Sequence, residues 1–154
     1  MKVNFWENKK VFITGHNGFI GSWLSYWLII KGAEITGYSK DIPTSPSLFQ
    51  TLNLENKMRS IEGNINDFDR LKKSLHEHKP DIVFHLAAQP MVSLGLKKPF
   101  ETFQSNTIGT LNLLECLNRQ DFVNSVIFFT SDKCYKSKID ILNYDETSEL
   151  GGAD

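Results

Sequence analysis

Three features of the sequence predict an α/β fold, a Rossmann-like doubly wound parallel sheet with helices on both faces. Short apolar runs alternate with stretches of helical periodicity along the whole chain. One run, Ile82-Val83-Phe84-His85-Leu86-Ala87, lacks in–out alternation, as a strand buried on both faces does. Clusters of glycine and polar residues fall where the strands would end: Gly15 to Gly21, Gly37 to Lys40, Leu86 to Pro90 and Thr130 to Tyr135. Right-handed crossovers make a parallel sheet of such a chain, and its ligand edge lies beyond the strands' carboxyl ends, where strand order reverses.

The elements follow in order. Val11-Phe12-Ile13 is a β-rich run, and a turn through Gly15-His16-Asn17-Gly18 leads into a helix over Phe19 to Lys31. In that helix Ile20, Trp23, Leu24, Trp27, Leu28 and Ile30 recur at three- and four-residue intervals, which predicts a large apolar face packed on the sheet; Gly32 stops it. Glu34 to Tyr38 reads as the second strand, and Lys40 to Glu55, with Pro43 and Pro46, as an irregular connection. Met58 to Glu62 is a weak third strand, followed by a helix over Phe68 to His78 that Lys79-Pro80 ends. Ile82 to Ala87 is the fourth strand, and a loop holds Pro90, Gly95 and Pro99. A helix over Phe100 to Arg119, with Phe103, Ile108, Leu111, Leu114 and Leu117 on its apolar face, precedes a fifth strand over Val123 to Thr130.

Composition narrows the function. The 154 residues suit one domain, 1–154, and 17 Lys+Arg against 18 Asp+Glu leave a net charge of −1, too little to hold a phosphate backbone over a broad surface. No apolar window is long enough to span a bilayer, and the amino terminus lacks the pattern of a signal peptide, so the cytoplasm is the expected compartment. Cys116 and Cys134 have neither disulfide-framework nor zinc-ligand spacing, and no metal is expected.

Gly15-His16-Asn17-Gly18-Phe19-Ile20-Gly21 is G-x-x-G-x-x-G between a strand and a helix. The first glycine permits the turn, the second lets backbone amides approach a pyrophosphate at the helix amino terminus, and the third allows close helix–sheet packing. Without the Lys-Ser/Thr of a triphosphate loop, this predicts a dinucleotide. At the end of the second strand Ser39 is placed to bond a ribose hydroxyl and Lys40 to meet a 2′-phosphate, so NAD and NADP both stay open on the residues alone. Asn64 and Ile65, after the third strand, are candidates for adenine contact, and Asp67 for a helix cap. His85 reads as a core histidine and His76-Glu77-His78 as surface residues. Thr130-Ser131-Asp132-Lys133-Cys134-Tyr135 brings a hydroxyl, a carboxylate and an amine to the end of the fifth strand, where a nicotinamide would lie. Cys134 has no fixed histidine partner in sequence and is not expected to act as a nucleophile.

These motifs resemble a known family. GHNGFIGSWL, GYSKDIPTSPSLF, PDIVFHLAAQP, NTIGTLNLLE, TSDKCY and LGGAD together resemble the extended short-chain dehydrogenase/reductase superfamily and, within it, the CDP-glucose 4,6-dehydratases. The resemblance implies an NAD-dependent lyase that oxidises C4 of the hexose, eliminates water across C5 and C6 and reduces C6. The resulting 4-keto-6-deoxy sugar feeds the dideoxyhexoses of bacterial surface polysaccharide. By position it implies that Ser131 binds the C4 hydroxyl and Asp132 protonates the departing C6 hydroxyl, while Lys133 stands where relatives place the glutamate that takes the C5 proton. It adds Leu86, Ala87, Ala88, Gln89 and Ser105 to the cofactor-binding set. Ile20 and Asn64 are departures, since these dehydratases usually carry lysine and aspartate there.

The superfamily's redox step relies on a Tyr-x-x-x-Lys pair expected just after Leu150-Gly151-Gly152, where the chain stops at Asp154. The resemblance therefore implies an amino-terminal portion, truncated after the fifth strand, without the sugar-nucleotide domain and inactive alone. The complete enzyme would take CDP-glucose as its sugar nucleotide and pair through two long helices per subunit, Phe100 to Arg119 supplying one. Another sugar-nucleotide epimerase or dehydratase, or a dinucleotide-binding module without catalysis, remain the alternatives.

Overall fold

The computed structural model describes residues 4–136 and 143–151. Five strands, β1 (Lys10–Thr14), β2 (Glu34–Ser39), β3 (Arg59–Glu62), β4 (Ile82–His85) and β5 (Ser125–Phe128), form one sheet in the order β3-β2-β1-β4-β5. All four neighbouring pairs are parallel, with Phe12 level with Thr36 on one side and Val83 on the other. The chain steps outward from β1 to β3 and then crosses to the far side of β1, so the order reverses between β1 and β4. That reversal opens a crevice at the carboxyl ends of these two strands.

Alternation along β1 builds two cores. Phe12 joins Tyr38, Val83, Leu71, Leu75, Leu113 and Cys116 on the face covered by α3 (Phe68–His78) and α6 (Gly109–Leu117). Val11 and Ile13 join Ile35, Ile82, Phe84 and Leu28 on the face covered by α1 (Phe19–Ile30). β4 is buried at all four positions, as its unbroken apolar run predicts.

The structure corrects several local expectations. The connection from Lys40 to Glu55 is not irregular throughout: α2 (Leu48–Thr51) and a tight turn at Leu54–Asn56 form where Phe49 and Leu54 are buried. The Pro90–Pro99 stretch contains α4 (Val92–Lys97) and leads directly into α5 (Pro99–Phe103), in which Pro99 starts the helix, a position that needs no N–H. The long helix expected from Phe100 to Arg119 is present as α5, a π-helical turn at Gln104–Ile108 and α6, which follow one another without a break. α1 keeps only part of its expected face on the sheet: Leu24 and Leu28 pack on the core. Gly21, Ser22, Ser25 and Leu28 are buried, whereas Ile20, Trp23, Trp27 and Ile30 are each about half exposed or more. His78 is buried rather than on the surface, with its Nδ1 3.0 Å from the Thr36 hydroxyl.

α6 meets the loop after β3 without clearance. A Cβ on Gly109 would lie 2.5 Å from Ile65 Cγ2, and Asn112 Nδ2 donates to the Ile65 carbonyl at 3.2 Å. Gly109→Ala is expected to overpack this joint and destabilise the fold by about 1–3 kcal/mol, read as a shifted urea midpoint at unchanged slope.

Candidate functional site

The glycine turn is built on a left-handed residue. Gly15 has φ +74° and donates its N–H to the Tyr38 carbonyl at 2.9 Å; a Cβ here would lie 2.8 Å from the Ala87 nitrogen and the Leu86 carbonyl. Gly21 packs so closely on the Gly15 carbonyl and the His16 backbone that no side chain fits. Gly18 is different: it is extended, and a Cβ would meet only the Gly15 carbonyl oxygen at 3.4 Å, so the space before it is an open cradle. The first bond onto the helix runs from the Ser22 N–H to the Gly18 carbonyl, leaving the amides of Phe19, Ile20 and Gly21 ahead of it at the positive end of α1. The Phe19 and Ile20 side chains point into solvent beside that end. Asn17 Nδ2 ties the turn to the carbonyls of Lys40 and Asp41 at 2.8 and 3.1 Å.

His16 lies in the turn by its backbone only. Its imidazole is buried, with Nε2 2.7 Å from the Ser60 hydroxyl and Nδ1 3.0 Å from the Ser39 hydroxyl, and it fills the space that a side chain on Gly37 would need. The Ser39 hydroxyl, expected to meet a ribose, is buried beside His16. Burial lowers the His16 pKa to about 4 against a bond to the Tyr38 backbone that raises it. After β3, the Tyr38 hydroxyl donates to the Asn64 carbonyl at 3.0 Å, and Asn64 Oδ1 accepts the Asn66 N–H at 3.1 Å. Ile65, expected beside an adenine, is buried in the core, where it faces Gly109. Asp67 caps α3 by accepting the Arg70 N–H at 3.1 Å.

The loop after β4 closes the other wall. Thr14 Oγ1 accepts the amides of Leu86 and Ala87 at 3.2 and 3.1 Å and is 2.7 Å from His85 Nδ1. Ala88 is exposed, and Gln89 is gripped by Asn106, whose side chain accepts the Gln89 N–H at 2.7 Å and donates to its carbonyl at 3.1 Å. Ser105 is half-buried in the π turn beside Asn106. Beyond β5, Ser131 and Lys133 are exposed around a tight turn at Asp132–Cys134, with Ser131 Oγ accepting the Lys133 N–H at 3.2 Å. The side chain of Asp132 and residues Gly152 to Asp154 of the LGGAD motif lie outside the described residues.

The sequence model for "GDP-mannose 4,6 dehydratase" matches residues 12–149. The chain belongs to the GDP-mannose 4,6-dehydratase family. It is 48% identical to the CDP-glucose 4,6-dehydratase of Salmonella typhimurium over 98% of its own length and 42% of that protein. Among solved structures it is similar to a UDP-glucose-4-epimerase from Stenotrophomonas maltophila with bound NAD and formylated UDP-arabinopyranose. That match has a TM-score of 0.80 and 25% identity, covering 94% of this chain and 43% of that one. A UDP-glucose 4-epimerase from Thermotoga maritima with UDP-glucose matches with a TM-score of 0.78 and 27% identity, over 93% of this chain and 45% of that one. The chain spans less than half the length of each of these three proteins.

In this family member the glycine turn and the post-β4 loop converge across the reversal of strand order, the Asn64 loop flanks them, and Ser131 and Lys133 lie on the same edge beyond β5. Sequence reasoning missed Thr14, Asn106 and Thr110 as organisers of that edge; the hydroxyl residue just before Gly15 and the Asn-x-x-x-Thr spacing within NTIGT were the available signals. Among the described residues no helix is long and apolar enough to cross a membrane, and no group of three His, Cys, Asp or Glu is arranged to hold a metal ion.

His16 and His85 both have pKa values lowered from 6.5 to about 4, His85 by burial alone. As pH falls, the unfolded chain takes up these protons first, so the stability is full above the unfolded pKa and is lost as pH falls through 6.5 toward 4. Unfolding free energy from urea titrations is expected to be level above about pH 7, then to fall by up to ~1.4 kcal/mol per pH unit for each of the two groups.

Proposed function

We propose that this chain is the NAD-binding portion of a CDP-glucose 4,6-dehydratase, an enzyme that converts CDP-glucose to CDP-4-keto-6-deoxyglucose. The observation that carries this reading is the glycine turn pressed against the post-β4 loop at the strand-order reversal, in a chain 48% identical to such a dehydratase over 98% of its length. The cradle before Gly18 suits a pyrophosphate: it is open, and the amides of Phe19, Ile20 and Gly21 precede the first helical bond. NAD, when bound, supplies the reversible redox chemistry at the hexose C4 and C6. Ser131 would orient the C4 hydroxyl and Asp132 would protonate the leaving C6 hydroxyl. Lys133 would stand beside C5, where an amine takes a proton only in its neutral form.

The sequence holds no Tyr-x-x-x-Lys pair: Tyr26, Tyr38, Tyr135 and Tyr144 are followed four residues later by Ile30, Ile42, Ile139 and Ser148. The chain is therefore expected to bind NAD without turning over CDP-glucose. Calorimetric titration with NAD tests the first half, and the base-induced ultraviolet absorbance of a 4-keto sugar tests the second. Sustained formation of that chromophore by the chain alone would overturn the assignment of the redox step to residues it does not contain. Assays of a longer form against CDP-, dTDP- and GDP-sugars separate this reading from that of another sugar-nucleotide enzyme, which the epimerase neighbours favour.

Gly18→Ala is expected to keep the wild-type melting temperature to within a few degrees while weakening NAD binding about tenfold or more, because its methyl enters the cradle and not the core. Gly21→Ala is expected instead to lower the melting temperature, since it clashes with the Gly15 carbonyl. Self-association is proposed through the apolar stripe of Phe100, Phe103, Leu111 and Leu114, all at least 47% exposed. Phe103→Glu combined with Leu111→Glu is expected to convert dimer to monomer in sedimentation velocity, with unchanged circular dichroism.

A further inference from the structure

The loop after β4 is held at its start by a chain of hydrogen bonds whose direction is fixed throughout. A threonine hydroxyl has one hydrogen to give and two lone pairs. Thr14 Oγ1 accepts the Ala87 N–H at 3.1 Å and, at 3.2 Å, shares the Leu86 N–H with the Thr14 carbonyl at 3.1 Å, which directs its hydrogen to His85 Nδ1 at 2.7 Å. Nδ1 is then an acceptor, and the ring proton is on Nε2, 2.9 Å from Thr110 Oγ1, which donates onward to the Asn106 carbonyl at 2.7 Å. His85 is buried, and the Phe128 ring lies edge-on at 5.5 Å, which fixes the imidazole plane. The same Asn106 holds the far end of the loop through both backbone groups of Gln89.

We propose that His85 is a positioning residue for the cofactor edge: as the Nε2–H tautomer it bridges Thr14 to Thr110 and so holds the Leu86 and Ala87 amides against the glycine turn. The imidazole suits this task because one rigid ring offers an acceptor to β1 and a donor to α6. An amide side chain of either length reaches only one of the two. The clearance it guards is small, since Gly15 already meets the Leu86–Ala87 peptide with no room for a methyl group. Slackening the bridge would let the loop drift into the space that the dinucleotide needs. This inference rests on the reading that NAD occupies this edge.

The test uses the 154-residue chain. Nitrogen-15 NMR of the wild type between about pH 6 and 8 is expected to show His85 with Nε2 protonated and Nδ1 bare; a protonated Nδ1 reverses the bridge and overturns the proposal. Thr14→Val removes the hydroxyl at constant shape, whereas Thr14→Ser keeps it. The valine variant is expected to weaken NAD binding about tenfold and the serine variant less than about threefold, both read beside the melting temperature. His85→Gln is expected to behave as the valine variant does. In both weakened variants, amide exchange at Ala87 should accelerate far more than at Val11 to Ile13, while Leu86 keeps its bond to the Thr14 carbonyl. Uniform acceleration, or NAD affinity within about twofold of wild type in folded Thr14→Val and His85→Gln, would make His85 a packing residue only. Failure of the wild type itself to bind NAD would remove the cofactor reading, and the tautomer and the exchange pattern would still decide the bridge.

Discussion

Everything at the carboxyl edge depends on one close approach, that of the Gly15 turn to the peptide joining Leu86 and Ala87. Gly15 adopts φ +74°, and any Cβ there would stand 2.8 Å from that peptide. The contact joins the end of β1 to the loop after β4, the two strands between which the sheet order reverses. Because the turn starts α1, the same contact also fixes where the helix's amino terminus points. A methyl group of extra separation would pull the helix end away from the crevice, and the amides ahead of Ser22 would no longer face it.

Two polar clusters brace this approach, and both rely on buried neutral histidine. His16 fills the space beside Gly37 and ties Ser39 of β2 to Ser60 of β3. His85 ties Thr14 of β1 to Thr110 of α6. Each ring has both nitrogens within 3.0 Å of a hydroxyl, so burial leaves neither wanting a partner. Hydroxyls serve better here than carboxylates, because they adjust donor and acceptor roles without adding charge to the edge. The cost appears only in acid, where the imidazoles must charge in a place that cannot solvate them.

Strands and their ends were legible in the sequence because burial on both faces removes alternation, and because a turn onto a helix demands glycine. Gly15 and Gly21 announce their close packing by spacing alone. His16 does not: it occupies a variable position of the motif, and its partners lie 23 and 44 residues away. The His85 to Thr110 bond spans 25 residues and the Thr14 to His85 bond 71, so no local period encodes them. Pro99 reads as part of a loop in sequence, yet it opens α5, since the first turn of a helix has no use for the missing N–H. The Lys40–Glu55 segment hides its short helix for a similar reason: its turn residues surround Phe49 and Leu54, which the core holds in place.

The exposure of the large residues at the start of α1 follows from the same close approach. Periodicity assigns the large residues Ile20, Trp23 and Trp27 to the sheet, and the fold instead buries Gly21, Ser22 and Ser25. A helix presenting tryptophan to a sheet stands off by the thickness of an indole, which would lift Gly21 away from the Gly15 carbonyl that it touches. Small residues on the buried side bring the helix axis down and leave the bulky stripe beside the contact rather than in it. Trp6 covers part of that stripe, edge-on to Trp27 at 5.8 Å and tilted against Phe84 at 6.4 Å, and Lys31 lies over the Trp27 ring. The two serines keep the approach close without leaving the helix end loose, because the Ser22 hydroxyl donates back to the His16 carbonyl at 3.2 Å. Hydrophobic periodicity thus identifies α1 as a helix and places Leu24 and Leu28 on the sheet, but it wrongly adds Ile20, Trp23 and Trp27, because at the helix start the quantity set is distance and not buried apolar area.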